Sequence, residues 1–177
     1  MQYRRVFVPG GTFFFTLVTF NRQKIFALQH PINLLRQAFR YTMQRHPFTI
    51  NAIVILPDHL HAVWTLPESD SDYPMRWRLI KSHFTRHWRV RLPQHLSASR
   101  LHKGEQQVWQ RRYWEHLIHD EADLTRHVEY IHYNPVKHGL SVTPFDWAYS
   151  SFRTYVQQGL YPECWAGEDT FPVQGGA

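Results

Sequence analysis

The segment LPDHLHAVW, residues 56–64, sets His59 and His61 two positions apart inside an otherwise apolar run. Residues at i and i+2 of an extended strand project from one face, so the two imidazoles point together while Leu60 and Ala62 point to the other side. Two neutral imidazoles so placed can hold one divalent ion. A chain with 13 histidines meets such a pair by chance, so spacing alone leaves open two histidines that merely pack. Context adds weight, because on the return strand of a hairpin in a central sheet each polar side chain without a partner costs roughly 1–3 kcal/mol.

A second group lies in YIHYNPVKHG, residues 130–139. On a helix Tyr130 shares a face with His127 and Asn134, whereas Tyr133 shares one with Glu129 and Lys137. The first grouping would aim a phenol and an amide oxygen at one place, and that oxygen could complete a two-histidine site for Mg²⁺ or Mn²⁺. Pro135 biases Asn134 away from helical geometry, so the helix is expected to end there. The structural alternative makes Tyr130 a core aromatic and Asn134 part of a helix-ending turn, with Gly139 closing a further single turn. A third group interleaves cations with rings: Arg4, Arg5, Arg22, Lys24, Arg78, Lys81, Arg86, and Arg111 and Arg112 beside Trp114. This mixture suits single-stranded nucleic acid, with its phosphates and unstacked bases.

These groups need a scaffold, and the chain can supply one. Its 177 residues, 43% of them hydrophobic, suffice for a single domain with a core of its own. Lysine and arginine number 20 against 14 acidic residues, giving a net charge of +6 and a pI near 9.7, which favours polyanionic partners. No stretch approaches a membrane span. The run TFFFTLVTF (12–20) lacks the cleavage site of a secretory signal, and the lone Cys164 cannot form an internal disulfide, so a cytoplasmic protein is expected.

Periodicity and turn residues predict strands at about 12–20, 49–56, 59–66 and 108–118 and helices at 31–46, 74–90 and 120–134. Residues 91–106 read as a loop. The helix at 74–90 turns Trp77, Ile80, Phe84 and Trp88 inward and Arg76, Arg78, Lys81, Arg86 and Arg89 outward. The first six elements match an α+β sandwich of ferredoxin-like (RRM-like) type, an antiparallel sheet with both crossover helices on one face. The seventh would be a catalytic helix. Residues 1–143 then form the domain, and 144–177 an appendage that is part of the same structural unit.

The motifs GGTFFFT (10–16), LPDHLH (56–61), WRLIKSHF (77–84), WQRRYWEHLI (109–118), YIHYNPVKHGL (130–140), DWAYSSF (146–152) and GLYPECWAG (159–167) together resemble the HUH single-tyrosine transposases. Within them they resemble the REP-associated subgroup, which acts on repetitive extragenic palindromes of bacterial chromosomes. The resemblance implies that His59, His61 and Asn134 bind Mg²⁺ or Mn²⁺, with Asn134 standing where related insertion-sequence enzymes carry the longer Gln. It makes Tyr130 the nucleophile that cuts single-stranded DNA through a 5′-phosphotyrosine and later rejoins it. A free phenol titrates at about 10, so activation must come from the ion's field or from a neighbour such as His127. The partner implied is a DNA hairpin with flanking unpaired bases, with the basic N-terminal arm and the appendage at 144–177 as the candidates to read it, and the protein would be a nucleoid-associated bacterial monomer. A non-catalytic RRM-like binding module is the competing expectation, as the chain lacks a run like KGFGFVxF.

Overall fold

The computed structural model describes residues 5–88 and 108–166. Four strands form one antiparallel sheet: β1 (Thr12–Val18), β2 (Thr49–Ile55), β3 (His59–Thr65) and β4 (Trp114–Leu117), in the spatial order β2-β3-β1-β4. This is the ferredoxin-like arrangement expected from the element order. β3 is flanked on both sides, which is why six of its seven residues are buried and its sequence reads as a nearly continuous apolar run. The Pro57-Asp58 turn returns the chain from β2 to β3, pairing Ile55 with Leu60.

Helices α1 (Gln29–Arg45) and α2 (Tyr73–His87) lie on one face of the sheet. Phe13, Phe15 and Leu17 of β1 alternate toward them, as do Leu60, Ala62 and Trp64 of β3. Trp64 stacks on Trp77 of α2 at 4.1 Å between ring centroids and lies 4.2 Å from Phe48. Burial of a large apolar side chain of this kind stabilises by about 1.5–3 kcal/mol. Arg76, expected on the outer face of this helix, is instead 1% exposed. Its guanidinium donates to Asp70 at 2.8 Å and to the carbonyls of Asp72 and Pro47. A buried cation needs such a full set of acceptors, and Arg76 is structural.

The opposite face is covered by α3, Glu121–Lys137. Asp120 caps its start by accepting from the amide of Asp123. The helix does not stop at Asn134. It runs through Pro135, which is buried, and closes with the amide of Gly139 on the carbonyl of Val136 and that of Leu140 on Pro135. Gly139 takes φ +65°, the left-handed turn this pair of bonds requires. β4 is also shorter than the alternation suggests. Trp109 makes only an isolated bridge to Thr19, and the carbonyl of Gln110 is taken by the Lys81 ammonium at 2.7 Å.

The segment after α3 packs on the free edge of β2. The amide of Ile55 donates to Tyr149 and that of Ser151 to Ile53, and the Trp147 indole donates to the carbonyl of Ile55. A short helix α4, Phe152–Gln157, follows, and its Tyr155 hydroxyl donates to the carbonyl of Asn51. Unpaired strand edges invite foreign pairing, and this one is covered.

Candidate active site

His59 and His61 project from β3 toward α3, at 6% and 4% exposure. Each has its Nδ1 occupied. His59 Nδ1 donates to Asp58 Oδ1 at 2.6 Å, and His61 Nδ1 shares a hydrogen bond with the Thr16 hydroxyl at 2.8 Å across the β1–β3 pair. Partners on Nδ1 orient both rings and leave Nε2 to face the site, the arrangement of metal-binding histidines. Burial pushes His61 well below the ordinary histidine value, reinforced by positive charge on neighbouring groups. Burial also lowers His59, although Asp58 opposes it. Burial alone would raise Asp58, but the bonds from His59 and Arg22 outweigh it and hold the carboxyl below its usual range. Both imidazoles therefore stay neutral near pH 7, the form that binds a cation.

The tyrosine comes from the facing helix. The ring of Tyr130 lies 5.2 Å from that of His61 at a steep angle and 6.0 Å from Phe14, whose side chain forms the floor between them. Burial raises its phenol, while a hydrogen bond with the Asn134 side chain works the other way. Asn134 is fully buried. Its Oδ1 and the Nε2 of His61 are both buried acceptors lacking a hydrogen-bond partner. Such atoms are costly unless something fills them. Two nitrogens and an amide oxygen on facing elements could hold one divalent cation.

Other residues reach the site without having been singled out by spacing. His138 caps α3 with its ring 5.2 Å from that of His59, and the Lys137 ammonium stands 5.3 Å over the Tyr130 ring. Helical spacing puts Lys137 on the face of Tyr133, yet it also lies seven positions, two turns, after Tyr130. His138 lies four after Asn134. Both depend on the helix passing Pro135. Thr16 and Asp58, which orient the histidines, carry no signal beyond Asp58 preceding His59.

His127 is held differently. Among the described residues it converges with His116 and Asp123, their potential ligand atoms within 4.8 Å of one another. Its Nδ1 donates to the carbonyl of Asp123 at 2.8 Å, its ring stacks on His116 at 4.7 Å, and His116 Nε2 meets the Asp123 carboxylate at 2.8 Å. Burial would raise Asp123, but the bonds from His116 and the amide of His119 hold it at about 2. With Arg126 also on this carboxylate at 3.3 Å, the group reads as an interlock joining β4 to the start of α3. His132, by contrast, turns away to Ser151 Oγ at 2.9 Å and the rings of the C-terminal segment.

The basic residues divide between two places. Arg22 pairs with Asp58 at 3.4 Å, at the rim of the histidine site, and Lys24 is exposed in the adjacent turn. Arg5, Arg78, Lys81, Arg86 and Arg111 line a cleft of about 880 Å³ on the α2 side. Arg112 is exposed, and Trp114 stands on the α3 side, opposite Thr16. Arg4 and Arg89 lie outside the described residues.

Comparison with known proteins shows the family. Residues 10–134 match the family described as "Transposase IS200 like". A REP-associated tyrosine transposase of Haemophilus influenzae is 43% identical over 98% of this chain and 98% of its own length. Another, from Escherichia coli, is 42% identical over 96% of this chain and 93% of its own length. A solved structure of a REP-associated tyrosine transposase bound to a REP hairpin shares 40% identity and superimposes with a TM-score of 0.83, covering 100% of this chain and 98% of that one. The chain belongs to the IS200-like transposase family and, within it, to the REP-associated tyrosine transposases.

Proposed function

We propose that this protein is a divalent-metal-dependent single-strand DNA endonuclease and strand transferase that acts at hairpins of repetitive extragenic palindromes. The observation that carries this reading is one meeting point. The Tyr130 ring sits 5.2 Å from that of His61, and two buried acceptors without partners, His61 Nε2 and Asn134 Oδ1, lie on the elements that face each other there. His59, His61 and Asn134 would hold Mg²⁺ or Mn²⁺, which supplies Lewis-acid polarisation of the scissile phosphate.

The chain's own residues do the rest. The Tyr130 oxygen attacks phosphorus and gives its proton to water, the new bond joins that oxygen to the phosphorus of the 5′-phosphate, and the P–O3′ bond breaks, the 3′-oxygen taking a proton from water to leave a 3′-hydroxyl. Burial holds the phenol above its ordinary value, so deprotonation needs help. The Lys137 ammonium over the ring is placed to favour the phenolate, and His127, set in its interlock with Asp123, steadies the turn before Tyr130. The phosphotyrosine retains the energy of the broken ester, and a 3′-hydroxyl returning to phosphorus reverses the cut. Nucleophile and histidines belong to one chain, which supports action as a monomer. No described helix is long and apolar enough to cross a membrane, and a chromosomal substrate places the work at the nucleoid.

His61→Ala should abolish cleavage that depends on Mg²⁺ or Mn²⁺ while leaving DNA binding within a few-fold, because most binding contacts go to phosphates elsewhere. Cleavage by the parent at full rate in excess EDTA would refute the metal role.

A further inference from the structure

Apart from the tyrosine and its histidines, the described residues bring together a further group of metal-ligating side chains: His116 of β4 with Asp123 and His127 of α3, their ligand atoms within 4.8 Å of one another. Both rings aim at one carboxylate. His116 Nε2 stands 2.8 Å from Oδ2, and His127 Nδ1 stands 3.1 Å from Oδ1 while also reaching the Asp123 carbonyl at 2.8 Å. Asp123, held at about 2, is ionised wherever the imidazoles are neutral, and burial favours the neutral ring of His127. Solvent can reach the group, because the side chains of His116 and His127 are 30% and 20% exposed. A neutral imidazole carries its proton on either nitrogen. If each ring moves its proton to the other nitrogen, the two atoms that face the carboxylate present lone pairs, and one divalent ion takes the place of two N–H hydrogens with no net change in protonation.

We propose that His116, Asp123 and His127 form a second cation site, separate from that of His59 and His61, which takes Zn²⁺ and clamps β4 to the first turns of α3. Two imidazoles and one carboxylate, with solvent in the fourth position, are a zinc donor set, whereas Mg²⁺ prefers oxygen ligands in an octahedron. The clamp lies close to the chemistry. His127 is one turn before Tyr130, and its ring is 4.7 Å from that of Phe14, the floor beneath the phenol. One neighbour opposes a cation: the Arg126 guanidinium, 3.3 Å from Asp123 Oδ1. Its side chain is 59% exposed and can swing into water as the ion arrives. The proposal stands on this geometry and does not depend on the cleavage reading above.

The test uses the full-length protein carrying His59→Ala and His61→Ala, so that the first site cannot answer for the second. Co²⁺ is followed by its visible absorption and Zn²⁺ by its displacement of Co²⁺, with melting temperatures in EDTA to show that each variant is folded. This protein should bind one ion per chain and melt higher when Zn²⁺ is added. A further Asp123→Asn or His116→Gln should weaken binding about tenfold or more, at least the loss that follows removal of an outer partner of a metal ligand. Arg126→Gln, which removes the competing cation, should tighten it about threefold or more. His83 and His87, stacked at 4.3 Å on α2, are the control, and His87→Gln should leave binding unchanged. The same changes at Asp123 or His116 made in the parent should lower the ions bound by one per chain, whatever the first site holds. No ion bound by the His59→Ala, His61→Ala protein, or binding undiminished by both Asp123→Asn and His116→Gln, would overturn the site. Failure of the parent to cut DNA would count against the enzymatic reading and leave this result standing.

Discussion

The two faces of β3 obey one period and serve opposite ends. Toward α1 and α2 the strand presents Leu60, Ala62 and Trp64, fully buried among aromatic rings. Toward α3 it presents His59, His61 and Val63, equally enclosed, with a histidine nitrogen that lacks a partner facing an asparagine oxygen of α3 that lacks one too, whereas the polar atom without a partner on the first face is the single indole N–H of Trp64. The first face is optimised for packing. The second holds polar groups where apolar ones would be more stable, a conflict expected at a site built for chemistry.

The contrast can be broken most severely from the packed side. Trp64→Ala should cost about 3–5 kcal/mol, read as a lower urea midpoint, and binding and cleavage should fall together because the sheet that carries the histidines fails. A loss of cleavage with the midpoint unchanged would mean that the core face does not support the site.

An intermediate effect is expected where α3 is tied to β4. Asp123→Asn weakens the interlock with His116 and His127 and should cost about 1–3 kcal/mol. Its pH signature has a definite sign. The carboxyl lies at about 2 in the fold against an ordinary 3.8, so its stabilisation is complete above pH 4 and is lost as the pH falls toward 2. The variant should lack that share of the acid sensitivity; identical acid unfolding curves for variant and parent would dismiss the interlock.

The smallest change in stability should come with the largest change in chemistry. His61→Leu removes the buried Nε2 that lacks a partner, together with the Nδ1 bond to the Thr16 hydroxyl, and puts a side chain of similar size in their place. The two effects oppose each other, so in metal-free buffer it should melt within about 1 kcal/mol of the parent, while losing metal-dependent cleavage. A marked drop in melting temperature would show that His61 serves packing after all.

How much of this was legible before the coordinates follows from the range of each interaction. His59 and His61 could be placed on one face because strand period is local, and the apolar faces of α1 and α2 likewise. The exit of α3 was not legible, since Pro135 carries a local bias against helix that only burial and the turn at Gly139 overcome. With that exit came His138 and Lys137. Arg76 looked like its basic neighbours because its acceptors sit in Asp70 and in the carbonyls of a distant turn. The non-catalytic RRM-like module gave way to membership of a transposase family.

The central claim is that the phenol of Tyr130 is the nucleophile served by the two histidines. The most direct measurement incubates the protein with a labelled single-stranded palindromic hairpin and Mn²⁺ and looks for a DNA–protein adduct that survives denaturant. The parent and Tyr133→Phe should both form it. Tyr130→Phe, which keeps the ring and removes only the oxygen, should form none. An adduct that persists in Tyr130→Phe and disappears in Tyr133→Phe would contradict the account.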